Sequence, residues 1–160
     1  MQIEIVKNGS REYKKVVSSG ACYYPETPDE VIEVMERLWH RDTRIQIFYG
    51  NRETGADWNE EHDTIGRIGR STGTFKIPLL IHNTRSLGGG SILTHCILKI
   101  IDTKTKEIYY QASNYQAPQI DIVPSDLPEY THNLVINGSV HSRHKSEKQA
   151  KRLMNKLLGK

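Results

Sequence analysis

Residues 64–90, TIGRIGRSTGTFKIPLLIHNTRSLGGG, set one apolar run between two clusters of Arg, Ser, Thr and Gly. DTIGRIGR alternates around Gly66 and Gly69, the period of two that belongs to a strand. KIPLLIHN is a short apolar run, and Pro78 inside it predicts an edge strand or a bulge. On a strand Arg67 faces away from Ile68 while Arg70 shares its face, so the two arginines meet only at a strand end or a bulge. Two readings follow: an anion cradle made by Gly-rich turns and Arg forks, or two turns around a core strand.

Working outward, the flanking segments carry the same β period. Upstream, RIQIFYG alternates from Thr43 onward. Downstream, SILTHCILKIID runs for about eleven residues, and the polar DTKTKE leads into IYYQA, together a long hairpin. QIEIVK, Asn8-Gly9 and REYKKVV form another hairpin, as does NLVINGSVHS around Asn137-Gly138. Residues 113–131 hold Pro118, Pro124 and Pro128 and predict a loop with one short strand at most. Two segments have helical period. ETPDEVIEVMERLWHR offers Thr27 as cap, Pro28 at the first position and Glu30 in capping-box spacing, with Val31, Ile32, Val34, Met35 and Leu38 on one face. SEKQAKRLMNKLLGK has Ser146 and Gln149 in capping spacing, an Ala150, Leu153, Met154, Leu157 and Leu158 stripe, and a basic opposite face. The predicted fold is α+β: seven to nine mostly antiparallel strands, an early helix over 28–41 and a basic C-terminal helix. Residues 1–142 form a β-rich domain, and 143–160 are the terminal helix of that same domain.

At 160 residues the chain is long enough for a core without staples. Its net charge is +3, yet from Arg143 onward seven Lys and Arg face one Glu, so the basic character belongs to the tail. Cys22 and Cys96 make neither a disulfide framework nor a CxxC motif, which points to a reduced, cytoplasmic chain. No segment approaches the ~18 apolar residues of a membrane span, and the N-terminus lacks a signal-peptide core.

The chemistry-bearing groups are few. There is no GxxxxGK[ST] and no GxGxxG between strand and helix, so no cofactor motif is present. The cradle reading assigns Arg67, Arg70, Asn83, Arg85 and Ser86 to phosphate or ribose oxygens, with Trp58 or Tyr49 as a stacking ring. NRETGADWNEEHD, residues 51–63, reads as a solvated acidic loop anchored by Trp58. It has neither HExxH nor EF-hand spacing, and the seven histidines show no paired metal spacing, so no metal site is expected. His95 beside Cys96 on a strand would face away from it, which leaves Cys96 a buried structural thiol. Lys148, Lys151 and Arg152 on the terminal helix are a further candidate contact with nucleic-acid phosphates.

Two resemblances arise from these residues. SEKQAK opening a helix just after the NGSV hairpin resembles the C-terminal end of a double-stranded-RNA-binding domain over roughly 25 residues. Glu147 replaces an expected lysine there, RLMN stands where small residues belong, and the family's first helix has no counterpart upstream. IQIFYGNRETGADWNEEHDTIGRIGRSTG with PLLIHNTRSLGGG resembles small accessory proteins of bacteriophages and conjugative plasmids. That likeness implies a mobile-element product acting in the host cell, commonly a binder or an inhibitor of a host system.

The preferred expectation is a non-enzymatic module that grips a phosphorylated ligand, a nucleotide signal or a nucleic acid, to counter host defence. The alternative is a protein that inhibits a host factor by surface complementarity. A phosphodiester hydrolase using His62 and nearby carboxylates is less supported, because no nucleophile, base and orienting residue can be named together. SILTHCILKI at a sheet edge would pair with a second copy and make a homodimer.

Overall fold

The computed structural model describes residues 1–58, 65–82 and 89–160. The chain forms two compact units, Met1–Tyr115 and Gln116–Lys160. Its class is α+β, with antiparallel sheets, an early helix and a C-terminal helix.

In the first unit, β1 (Ile3–Asn8) and β2 (Arg11–Val16) form a hairpin with Asn8 opposite Arg11. The two turn residues are therefore Gly9 and Ser10, and Gly9 has φ +65°. Glycine as first turn residue suits a II′ geometry, one residue later than Asn8-Gly9 predicts. β3 (Cys22–Tyr23) pairs with β2 to complete a three-stranded sheet.

Helix α1 (Asp29–Trp39) buries Val31, Ile32, Val34, Met35 and Leu38. Burial of five such side chains contributes on the order of 10 kcal/mol as an upper value, offsetting the ordering entropy of a helix too short to form alone. The predicted capping box is not made. Pro28 is the N-cap residue and no side chain caps the helix. The Thr27 hydroxyl instead shares a buried 2.8 Å hydrogen bond with that of Thr94, a tertiary partner that outcompetes the local one.

The main sheet contains β4 (Ile45–Tyr49), β5 (Ile65–Arg70), β6 (Pro78–Ile81), β7 (Gly89–Ser91), β8 (Ile97–Asp102) and β9 (Ile108–Gln111). Their order is β7-β6-β5-β4-β8-β9, antiparallel throughout. α1 and this sheet share a core that includes Ile45, Ile47, Ile97, Leu98 and Ile100. Two expectations are corrected here. β6 lies inside the sheet, not at its edge, and tolerates Pro78 because that residue opens the strand, where a missing N–H costs no ladder bond. SILTHCILKIID is not one strand: Ser91 ends β7, Thr94–Cys96 make a 3-10 turn, and β8 is flanked by β4 and β9. That removes the edge on which the homodimer expectation rested, and it puts His95 and Cys96 in a turn instead of a strand.

The second unit is a three-stranded sheet with one helix. β10 (Ile120–Pro124), β11 (His132–Ile136) and β12 (Ser139–His144) run antiparallel in that order. Asn137 (φ +49°) and Gly138 (φ +86°) join β11 to β12 as the I′ turn their sequence predicts. Helix α2 (Glu147–Leu157) starts at Ser146, whose hydroxyl accepts from the Gln149 N–H at 3.2 Å. The Gln149 side chain accepts from the Lys145 N–H in return. Leu134, Ile136 and Leu157 form the core, with Ile120, Ile122, Leu153 and Met154 around it. The terminal helix thus groups with β10–β12. Among the described residues no helix is long and apolar enough to cross a membrane.

Candidate functional site

Two arginines of the opening stretch, Arg67 and Arg70, already have partners. Arg67 donates to the Asp42 carboxylate just beyond α1. Arg70 lies over the Trp39 ring, 4.5 Å from its centroid, and donates to the Ser19 carbonyl at 3.2 Å. The two leave opposite faces of β5, as alternation requires, and no bulge in the β5–β6 register brings them together. Gly66 and Gly69 serve packing: a Cβ on Gly66 would stand 2.5 Å from the Ile81 carbonyl oxygen, and one on Gly69 would stand 2.4 Å from the Ile81 Cδ1. Asn83, Arg85 and Ser86, the other half of the predicted cradle, lie outside the described residues, as does His62.

The loop after β4 is a tied structure. Asn51 Oδ1 accepts from the N–H groups of Glu53 and Thr54, and Arg52 donates to the Ile97 carbonyl at 2.7 Å and the Tyr110 hydroxyl at 3.0 Å. Asn114 donates to the Arg52 carbonyl from the far side. Tyr49 is 8% exposed and part of the core, so it offers no face for stacking. Trp58 is 44% exposed and keeps a free surface, its backbone N–H donating to the Tyr49 carbonyl. Asp57 accepts from the Tyr115 hydroxyl at 3.1 Å. Lys99 lies over the rings of Phe48 and Tyr115, 5.4 Å from each centroid. Burial there lowers the Lys99 pKa, with Asp57 acting against that shift. Spacing gives no signal for this Lys99, Asp57 and Tyr115 cluster, because its members come from three segments. No group of three or more His, Cys, Asp or Glu among the described residues is placed to hold a metal ion.

The second unit is electrostatically different. It carries seven Lys and Arg against four Asp and Glu, which accounts for the whole of the chain's +3. Asp126 is one of the four, and Asn133 and Arg143 hold it: Asn133 donates at 3.0 Å, and its hydrogen bond leads in pulling the carboxyl down to about 2. On α2, Lys148, Lys151, Arg152 and Lys156 are exposed on the side opposite Ala150 and Leu157. A shallow depression is lined by Glu147, Lys148, Lys151, Arg152 and Asn155. Lys151 pairs with Glu147 one turn earlier at 3.0 Å, while Lys148 and Arg152 make no hydrogen bond or ion pair with a described residue.

No protein-family model, curated protein or solved structure matches the chain. Geometry and charge therefore carry the functional reading.

Proposed function

We propose that the protein is a non-enzymatic binding module that grips nucleic-acid phosphates with the basic face of α2. The observation that carries this is the clustering of cations on one exposed helix face. Lys148 and Arg152, which make no hydrogen bond or ion pair with a described residue, flank Lys151, whereas Arg67 and Arg70 of the opening stretch are engaged by groups of the first unit. Positions 148, 151, 152 and 155 share one helix face, so their side chains reach along a single backbone track. Such contacts are sequence-independent and salt-sensitive. The likeness to accessory proteins of bacteriophages and conjugative plasmids implies only a setting, a mobile-element product in a host cell, where such a binder would counter host defence.

The test is fluorescence anisotropy with labelled duplex and single-stranded DNA and RNA over a salt series. Combined alanine substitution of Lys148, Lys151 and Arg152 should weaken binding and flatten the dependence of log K on log salt by about 2 to 3, at roughly 0.7–0.9 for each phosphate that is no longer neutralised. Alanine at both Arg67 and Arg70 should leave the affinity unchanged. The proposal fails if the triple variant binds like the wild type, or if the double variant is the one that loses binding.

A further inference from the structure

The first unit holds a pocket that the α2 reading does not use. The β2–β3 register sets Lys15 opposite Cys22, with Tyr13 two residues away on the Lys15 side of β2 and Tyr24 just past the end of β3. The Tyr13 and Tyr24 rings are 6.1 Å apart at 45°. Phe75 closes the third side, edge-on to Tyr13 at 4.8 Å. The chain around Phe75 is pinned: the Ser71 hydroxyl accepts from the Ile77 N–H at 2.9 Å, and the Cys22 N–H donates to the Lys76 carbonyl at 2.7 Å. These rings, with buried Cys22, Pro78, Ile92 and Thr94, line a cavity of about 80 Å³. All three rings are half-exposed, so the cavity has an aromatic mouth.

The nearest cation by register is Lys15, which does not line the cavity but stands opposite Cys22, which does. Lys15 is half-buried and makes no hydrogen bond or ion pair with a described residue. Glu4 stands opposite it on β1 without forming an ion pair with it. Arg11 extends the same face, while Lys14 turns to the other side, donating to the Thr27 carbonyl at 2.8 Å and the Asp29 carboxylate at 3.3 Å. An engineered cavity of ~150 Å³ encloses a benzene molecule, so a pocket about half that size takes the edge of one six-membered ring and leaves its substituent at the mouth.

We propose that this pocket binds a small aromatic anion: a single planar ring seated among Tyr13, Tyr24 and Phe75, with its negative group on the Lys15 ammonium. The shared chemistry, one ring and one anion, is found in aromatic carboxylates and in pyrimidine nucleotides. Benzoate and uridine monophosphate are the two probes, with benzyl alcohol and uridine as their neutral counterparts. Titration followed by NMR should give saturable shifts at Tyr13, Tyr24 and Phe75 with at least one anion, and its neutral counterpart should bind about tenfold more weakly. Saturation by benzoate alone assigns the site to an aromatic acid, and saturation by the nucleotide alone assigns it to a nucleotide.

Lys15→Gln, on the sheet surface, should remove the preference for the anion while leaving the thermal transition in place. Tyr24→Leu should abolish binding of both probes. The variant lacking Lys148, Lys151 and Arg152 should bind them as the wild type does, which separates this pocket from the nucleic-acid face. The proposal is overturned if neither anion saturates at millimolar concentration, if each neutral counterpart binds as well as its anion, or if Lys15→Gln leaves the anion's affinity unchanged.

Discussion

At the residue scale, the glycines of IGRIGR distinguish packing from ligand binding. Gly66 faces the Ile81 carbonyl and the Leu80 side chain across the β5–β6 ladder, at distances that a Cβ would reduce to 2.5 and 3.1 Å. A backbone carbonyl in a ladder cannot swing aside, so Gly66→Ala should destabilise the fold by about 1–3 kcal/mol, as overpacking does. Gly90 on neighbouring β7 has nothing within 4 Å of a built Cβ, and Gly90→Ala should be neutral or slightly stabilising. Denaturant titration of the two variants checks the contrast: equal midpoints would mean that the glycines of β5 are not there for close approach. The alternation around Gly66 was legible in the chain, but the carbonyl that Gly66 admits was not. That carbonyl belongs to Ile81, a neighbour brought in by strand pairing.

At the element scale, the two helices begin with similar signals and reach different outcomes. Ser146 caps α2 through its hydroxyl, which takes part in no competing tertiary hydrogen bond among the described residues. Thr27 has equally good spacing before α1, yet its hydroxyl is taken by Thr94, 67 residues away. Ser146→Ala should therefore cost about 1 kcal/mol through loss of a cap. Glu30→Ala should cost almost nothing, since α1 has no capping box to lose. Thr27→Val should cost about 1–3 kcal/mol by stranding the Thr94 hydroxyl in the core. Thermal unfolding followed by circular dichroism orders the three, and a large loss in Glu30→Ala would contradict the assignment.

At the scale of the whole molecule, the two units differ in how much apolar surface supports them. The first gathers 19 buried residues into one core and the second gathers three, among the described residues. A 45-residue unit with so small a core should open at lower free energy than the rest of the chain. Hydrogen exchange should show the amides of β4 and β8 as the slowest, and those of β10–β12 and α2 exchanging through a separate, earlier opening. Uniform protection across both units would refute this. The proposed nucleic-acid face then sits on the less stable unit and the aromatic pocket on the more stable one.

Local chemistry was enough to announce the α+β class, the early and terminal helices, the Asn137-Gly138 turn and the concentration of positive charge in the tail. Period, turn residues and capping spacing act over a few positions, and short-range sterics and hydrogen bonding enforce them wherever the chain goes. The partners of Arg67 and Arg70, the burial of Tyr49, the interior places of Pro78 and β8, and the meeting of Tyr13, Tyr24 and Phe75 arise only in the folded molecule. Each depends on which strands pair and in what register. That choice is made by burying one continuous apolar surface, and a linear pattern does not carry it.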